Sequence, residues 1–185
     1  GCSKNQVDSE VMLGILSKHN YEFTNNEYDA DIIIVNTCGF IESAKQESIE
    51  TILELSQLKQ KGKCKALIVT GCLSQRYSKE LFDELPEVNA FIGTNNFNEI
   101  GMIIENIFEN KKRFISTKNI NDSIDYDLPR ILTTPTYTAY LKIAEGCDNY
   151  CTYCIIPKIR GKYKSKPIEN IIKEAKALAA HGVKE

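Results

Sequence analysis

Short apolar runs alternate with helical patterns from the start of the chain to about residue 110, and this alternation limits the fold more than any other feature. Residues 31–36 (Asp-Ile-Ile-Ile-Val-Asn) are typical of a strand buried on both faces. Residues 65–70 and 88–92 predict two further strands. Strands separated by helices need crossover connections, which favour a parallel sheet covered on both faces. We therefore predict an α/β fold with a doubly wound parallel sheet.

Helical patterns fill the spaces between these strands. Residues 6–18 place apolar side chains at i+4 steps from Val7 to Ile15, and Asn5 is the predicted N-cap. Ser74 is the predicted N-cap of a helix over residues 75–85. The other predicted helices span residues 41–60 and 96–109.

The alternation stops after about residue 110. Residues 111–138 include Pro129 and Pro135 and show little periodicity, which indicates a linker. A predicted strand (139–144) and a predicted helix (168–181) then form one βα unit, which cannot bury a core alone. We predict an N-terminal domain (1–112), a linker (113–137) and the truncated start of a second domain (138–185). The first residue is not methionine, and a parallel strand would be due after the last helix, so we expect a piece of a longer protein.

Composition excludes several classes of protein. The chain is 42% hydrophobic and 26% charged with a net charge of −2, so nothing global indicates nucleic-acid binding. Its aliphatic runs are too short to span a bilayer, and its start does not resemble a secretory signal. Without an export signal, the seven cysteines favour metal binding in a reducing, cytoplasmic setting over a disulfide framework.

Cys147, Cys151 and Cys154 form a C-x3-C-x2-C motif. Three thiolates suit three irons of a 4Fe–4S cubane, and the fourth iron then has no protein ligand, unlike in most electron carriers. A zinc site with an unseen fourth ligand and a structural thiol cluster are the alternatives. No second C-x2-C knuckle follows the motif, which disfavours zinc.

Cys2, Cys38 and Cys72 form a second trio that only the predicted fold reveals. Cys38 and Cys72 each follow a predicted strand, and Cys2 precedes the first predicted helix. The carboxyl ends of parallel strands share one edge of the sheet, so we expect the three thiols to meet there as ligands of a second cluster. The alternative is three half-buried structural cysteines. Cys64 precedes a strand, and we predict no ligand role for it.

The C-x3-C-x2-C motif resembles the radical S-adenosylmethionine (radical SAM) superfamily, and the two trios in this order resemble its methylthiotransferase family. Within that family, residues 4–10 and 128–146 are similar to the RimO branch. The matching stretches are residues 1–10 (Gly-Cys-Ser-Lys-Asn-Gln-Val-Asp-Ser-Glu), 36–40 (Asn-Thr-Cys-Gly-Phe), 70–72 (Thr-Gly-Cys), 139–154 and 157–161 (Pro-Lys-Ile-Arg-Gly).

The resemblance implies a fold, cofactors and site residues. The fold would be a flavodoxin/Rossmann-like cluster domain, then the first βα unit of a radical SAM partial TIM barrel, with a substrate-binding domain beyond it. The cofactors would be two 4Fe–4S clusters and SAM, whose methionine part caps the open iron of the Cys147 trio. Tyr153 would lie near the adenine of SAM, and Arg160 would support the SAM site.

The resemblance also implies a reaction. A methylthio group would be added to the β-carbon of an aspartate in ribosomal protein S-twelve, where an unactivated C–H bond requires radical chemistry. The Cys147 cluster would reduce SAM to release a 5′-deoxyadenosyl radical, and the Cys2 cluster would hold the sulfur. Partners would be ribosomal protein S-twelve or the small ribosomal subunit, and an electron donor such as flavodoxin or ferredoxin, with no membrane partner. The alternatives are methylthiolation of isopentenylated adenosine in tRNA, as in the sister MiaB branch, and a non-catalytic iron–sulfur or zinc module. The 185 residues alone should lack activity.

Other charged residues give weaker signals. Basic residues alternate along residues 158–166 and would form one charged stripe if this segment were extended, although a solvated loop is the alternative. Asp8 and Glu10 are interpreted first as charges near a helix N-terminus, with a catalytic role as the alternative. His19 and His181 are predicted to be helix-end or surface groups.

Overall fold

Parallel strands form one sheet in a computed structural model that describes residues 1–122 and 125–185. The strands are β1 (Ile32–Thr37), β2 (Ala66–Gly71), β3 (Ala90–Ile92) and β4 (Phe114–Ser116). Their order across the sheet is β1-β2-β3-β4, and every neighbouring pair is parallel. Residues 123 and 124, which fall in the predicted linker, lie outside the described residues.

Helices cover both faces of this sheet. One apolar cluster includes Ile15, Ile68 and Ile104 and packs one face, while the other includes Ile52 and Val69 and packs the opposite face. The predicted doubly wound α/β fold is therefore confirmed. The helices are α1 (Ser3–Lys18), α2 (Glu42–Ser56), α3 (Leu58–Lys61), α4 (Cys72–Glu84) and α5 (Ile100–Asn110). Across the described ranges, none of the helices combines the length and the apolar character needed to cross a bilayer.

Several predicted helix boundaries are wrong. α1 begins earlier than predicted, with Cys2 at its N-cap, and the Asn5 side chain instead donates to Asn36 Oδ1 at 2.7 Å. α4 begins directly after Gly71, so Ser74 lies buried in its first turn instead of capping it. The predicted helix over residues 41–60 is interrupted at Gln57, which separates α2 from α3.

Two strand predictions need correction. β1 is not fully buried on both faces, because Ile33 and Val35 are buried while Ile32 and Ile34 are only half-buried. β1 is an edge strand with β2 as its neighbour on one side, so its side chains are covered less than those of β2. In addition, β4 pairs with β3 inside the segment that we predicted as linker, so the sheet continues to Ser116. The limits of the domains stay predictions.

The second part of the chain is built from short elements. They are β5 (Ala144–Glu145), α6 (Ile156–Arg160), β6 (Lys164–Ser165) and α7 (Ile168–Ala180). α7 matches the predicted helix, but most of the predicted strand over residues 139–144 is wrong. β5 instead pairs antiparallel with β6, through Ala144 opposite Ser165.

After α7 the chain returns beside residues 137–139. The Glu185 N–H donates to Tyr137 O at 3.0 Å, and the Ala139 N–H donates to Glu185 O at 2.9 Å. Glu185 is thus bonded to both neighbours of Thr138, which is the hydrogen-bond pattern of adjacent parallel strands. α7 leaves Ile168 67% exposed and Ile172 48% exposed, as expected for a βα unit that cannot bury a core alone.

Gly71 is the glycine on which the sheet edge depends most. Its φ is +94°, and a Cβ there would collide with the Thr37 carbonyl oxygen. We expect Gly71→Ala to lower the free energy of unfolding by roughly 3 kcal/mol, because it combines backbone strain with a clash. Urea unfolding measures the change.

Gly182→Ala is the matched control. Gly182 also has a positive φ, +89°, but a Cβ there meets nothing within 4 Å. Gly182→Ala should therefore lower the free energy of unfolding only through backbone strain, by about 1–2 kcal/mol. Equal losses for the two variants would contradict a close approach of β1 to β2 at Gly71.

Candidate metal centres

Cys72 is the most buried thiol of the first trio. It is 7% exposed and begins α4 immediately after β2, so its position follows from the strand-to-helix turn at Gly71. Because this turn lies at the carboxyl edge of a parallel sheet, Cys72 occupies the edge where such folds bind ligands.

Cys38 lies in the loop after β1, next to the start of α4. A Cβ on Gly39 would come within 2.8 Å of Leu73 Cα, so the Cys38 loop packs directly against the first turn of α4. The Cys38 backbone N–H donates to the Ser48 hydroxyl on α2 at 3.2 Å. This bond fixes the loop from the other side and holds Cys38 beside Cys72.

Cys2 reaches the same edge through the amino end of α1. The Asn5 amide donates to Asn36 Oδ1, and the Asn36 amide donates back to Asn5 O at 2.8 Å. This reciprocal pair ties the first turn of α1 to the end of β1, so exposed Cys2 lies near the other two thiols. Burial raises the pKa of the Cys72 thiol, and nearby Cys38 and Cys2 add to the rise while Arg160 opposes it.

The second trio lies in a loop that folds back onto the turn after α6. The Cys147 N–H donates to Gly161 O at 3.1 Å, and the Cys154 N–H donates to Cys151 O at 2.9 Å. Gly146 has a φ of +72°, and a Cβ there would collide with the Lys162 carbonyl oxygen. Cys147 and Cys154 are half-buried, whereas Cys151 is exposed.

Each trio has the donor chemistry of an iron–sulfur cluster. All seven cysteines are free thiols, and each trio presents soft sulfur ligands of the type that iron–sulfur clusters use. Among the residues that the structure describes, no three His, Cys, Asp or Glu side chains are placed to hold one metal ion. A cubane binds each thiolate to a different iron, so it needs the sulfurs farther apart than a single ion does. Cys64 instead packs in the core, and its thiol donates to Ala66 O at 3.4 Å.

A buried cluster of four charged side chains joins the two parts of the chain: Asp8 on α1, Lys142, Glu145 on β5 and Arg160 on α6. The Lys142 ammonium donates to Asp8 Oδ1 at 2.6 Å and to Glu145 Oε2 at 3.1 Å. Arg160 Nη1 donates to Asp8 Oδ2 at 2.7 Å and to Glu145 Oε2 at 3.1 Å. Burial alone would raise the pKa of Glu145, but Arg160, Lys142 and Lys4 together lower it to about 2. Asp8 is therefore paired with Lys142 and Arg160, and Glu145 is paired with these two cations and with Lys4.

The Arg160 side chain lies on the helix that follows the second trio and contacts Cys72 of the first trio. It is 3% exposed, and its Nη2 lies 3.6 Å from Cys72 Sγ. α6 is held in this place by the Thr94 hydroxyl, which donates to Ile159 O at 2.8 Å. Tyr153, the other predicted SAM-binding residue, is 91% exposed. Its predicted contact with adenine and the predicted role of Arg160 at SAM stay predictions.

Two family matches cover the two parts of the chain. Residues 1–93, half of the chain, match the family described as Uncharacterized protein family UPF0004. The chain belongs to that family. Residues 141–185, which carry the Cys147 trio, match the Radical SAM superfamily.

Curated relatives of this UPF0004 chain match it from end to end. The protein named Ribosomal protein uS12 methylthiotransferase RimO from Desulforamulus reducens is 57% identical over all 185 residues, which make up 42% of that relative. The proteins of the same name from Clostridioides difficile and Geotalea uraniireducens are 56% and 55% identical, again over the whole chain and 41% of each relative. The chain thus spans about two fifths of the length of these relatives, and its resemblance to the RimO branch of the radical SAM methylthiotransferases is confirmed.

The charged cluster of this UPF0004 chain could not be found from sequence pattern alone. Asp8 was interpreted as a charge near a helix N-terminus, but its side chain is buried and paired with Lys142 and Arg160. Nothing in the sequence indicated that Lys142 and Glu145 are buried, because a charged residue in an apolar strand pattern is usually solvated.

The basic stripe that residues 158–166 would form if extended is absent, because this segment is not extended. α6 covers Lys158 and Arg160, and the chain turns at Gly161 with a φ of +77° instead of staying extended. Arg160 is buried, and Lys164 donates to Ile120 O at 3.1 Å, so these charges do not share one face. His19 and His181 are exposed helix-end residues, as predicted.

Glu10 anchors residues 130–133 to α1. Its Oε1 accepts from the Thr133 N–H at 2.9 Å, and its Oε2 accepts from Arg130 Nε at 2.8 Å. Arg130 also donates to Glu174 on α7 at 2.6 Å. The pair of Glu10 and Arg130 therefore links α1, residues 130–133 and α7. Burial alone would raise the pKa of Glu10, but the Thr133 N–H and Arg130 outweigh it and lower the pKa.

We expect Glu10→Gln to lower the free energy of unfolding at pH 7 by about 3 kcal/mol, because Arg130 loses a buried partner. Since the folded-state pKa of Glu10 lies below its ordinary value of 4.5, its contribution is complete above that pH and is lost as pH falls further. The variant should therefore lose stability less steeply than the parent below about pH 4.5. Urea unfolding across this range measures both effects.

Glu47→Gln is the control for Glu10→Gln, because Glu47 is exposed on α2. It should change stability by less than about 0.5 kcal/mol at either pH. If both variants behave alike, Glu10 does not hold the described contacts in solution.

Proposed function

We propose that this chain is the cluster-bearing part of a radical SAM methylthiotransferase that modifies an aspartate β-carbon in ribosomal protein S-twelve. The observation that carries the proposal is the contact of Arg160 with Cys72, because it brings the segment that follows one cysteine trio against the other trio. The names of relatives that are 55–57% identical support the choice of substrate.

In this proposal, Cys147, Cys151 and Cys154 hold one 4Fe–4S cluster, and Cys2, Cys38 and Cys72 hold a second. Bound together with SAM, the clusters supply a carbon-centred radical and a sulfur donor, the two reactants that an unactivated C–H bond requires. The trios provide only thiolates, so each cluster would keep one iron free of protein ligands. The superfamily match of residues 141–185 supports the SAM site.

The chain's own residues orient these groups. The exposed Tyr153 side chain is available to stack on a flat ligand such as adenine. The buried charged cluster of Asp8, Lys142, Glu145 and Arg160 fixes β5 and α6 against α1, and so sets the separation of the two trios. A fixed separation matters because radical and sulfur donor must both reach one carbon atom.

We place the reaction in the cytoplasm, with the small ribosomal subunit as partner and flavodoxin or ferredoxin as electron donor. Free thiols at all seven cysteines support a reducing compartment.

Iron loading tests the two cluster sites separately. The full-length parent, reconstituted without oxygen, should bind about eight irons per chain, and Cys38→Ala or Cys151→Ala should each leave about four. Cys64→Ala is the matched control, since Cys64 is a buried core thiol of the same domain and should leave iron unchanged. Iron at only one trio, or zinc in place of iron, would favour a non-catalytic module.

Product analysis tests the substrate. In a strain that lacks the gene, mass spectrometry of ribosomal protein S-twelve should show loss of an aspartate methylthio group. The full-length parent and Cys64→Ala should restore it, whereas Cys38→Ala should not, because one proposed ligand is missing. If the modification is lost from tRNA and retained on the ribosomal protein, the substrate assignment is wrong and the tRNA alternative holds.

A further inference from the structure

Arg160, which we predicted to support the SAM site of the second trio, contacts the first trio instead. Its guanidinium is almost fully buried, and its nearest sulfur is Cys72 of the other trio, at 3.6 Å from Nη2. Nη1 is held by Asp8 and Glu145 on the opposite side of the same group. The two carboxylates therefore orient the guanidinium so that Nη2 faces Cys72.

The charges around this contact do not cancel by themselves. Arg160, Lys142 and Lys4 supply three positive charges, since Lys4 lies 3.4 Å from Glu145 Oε1. Asp8 and Glu145 supply two negative charges. One positive charge remains, and the guanidinium at its edge faces the Cys72 sulfur. A thiolate at Cys72, or an anionic cluster bound there, would balance the group.

We propose that Arg160 is a positioning residue for the first cluster: it donates an N–H···S hydrogen bond to the Cys72 thiolate and raises the reduction potential of the cluster held by Cys2, Cys38 and Cys72. This inference rests on the proposed function, which assigns a cluster to that trio. A reduced cluster carries one more negative charge than an oxidised one. A buried cation and a hydrogen bond at a ligand sulfur stabilise the reduced form more, which raises the potential.

The same residue couples the two sites mechanically. Arg160 ends α6, which begins two residues after Cys154, so the residue that contacts Cys72 lies on the short helix that follows the second trio. Ile159, its neighbour, is 1% exposed and is tied to the loop after β3 through Thr94. A shift of α6 would therefore change the hydrogen bond to Cys72 at once.

The test isolates the first cluster in the full-length parent by replacing Cys147, Cys151 and Cys154 with Ala. This background cannot load the SAM-binding cluster, so any change in potential does not pass through SAM. The reduction potential is measured by an anaerobic redox titration monitored by electron paramagnetic resonance, together with iron and sulfide content. Arg160→Met should shift the potential to a lower value while about four irons stay bound. Arg160→Lys, which keeps the charge but loses the planar fork, should give a smaller shift in the same direction.

Lys158→Met is the matched control, because Lys158 is an exposed cation on the same short helix. It should leave the potential at the value of the background protein. The inference is overturned if Arg160→Met has the same potential as Lys158→Met. Should Arg160→Met fail to load iron, Arg160→Lys decides: a potential below that of Lys158→Met supports the inference, and an equal potential overturns it.

Failure of the proposed function gives a different result. If the background protein with Arg160 intact takes up no iron, Cys2, Cys38 and Cys72 do not hold a cluster, and both proposals fall together. If it takes up iron and the potential does not respond to Arg160, only the inference on Arg160 fails.

Discussion

The buried pairing of Arg160 and Lys142 with Asp8 and Glu145 is the interaction on which the arrangement of both candidate sites depends. Removing charged groups from water costs several kcal/mol each, and the cost is offset only when partners and geometry are good. Here each carboxylate receives two cations at 2.6–3.1 Å. Because Asp8 lies on α1 and the other three on residues 142–160, the ion pairs hold the second part of the chain to the sheet.

The sheet determines where the cysteines of the first trio lie. Its parallel strands deliver Cys38 and Cys72 to one edge, and the reciprocal Asn5–Asn36 pair brings Cys2 to the same place. α6 then sits against α4 at this edge, with Arg160 turned towards Cys72. The first trio therefore lies where the two parts of the chain meet, which is where two clusters must be placed if they serve one substrate.

Patterns of short range were the most reliable part of the sequence. The strand at β2 and the helix at α7 were predicted well, because the type of an element follows from the apolar pattern of a short stretch of chain. Helix starts were predicted poorly at Asn5 and Ser74, since the residue types that cap helices also bond across strands or lie buried. β4 was missed because Phe114–Ser116 is too short for periodicity and is stabilised by its neighbour β3.

The sequence by itself determined the fold class and predicted the ligand chemistry of the Cys147 trio, since the alternation of strands with helices and the spacing of these cysteines are local properties of the chain. Only the tertiary structure decided which charges are buried. Asp8 and Arg160 are 152 residues apart, and their local sequences do not show that the two side chains are buried against each other. Their pairing exists because the packing of α6 against the sheet edge removes both from water, and unpaired charges cannot remain there.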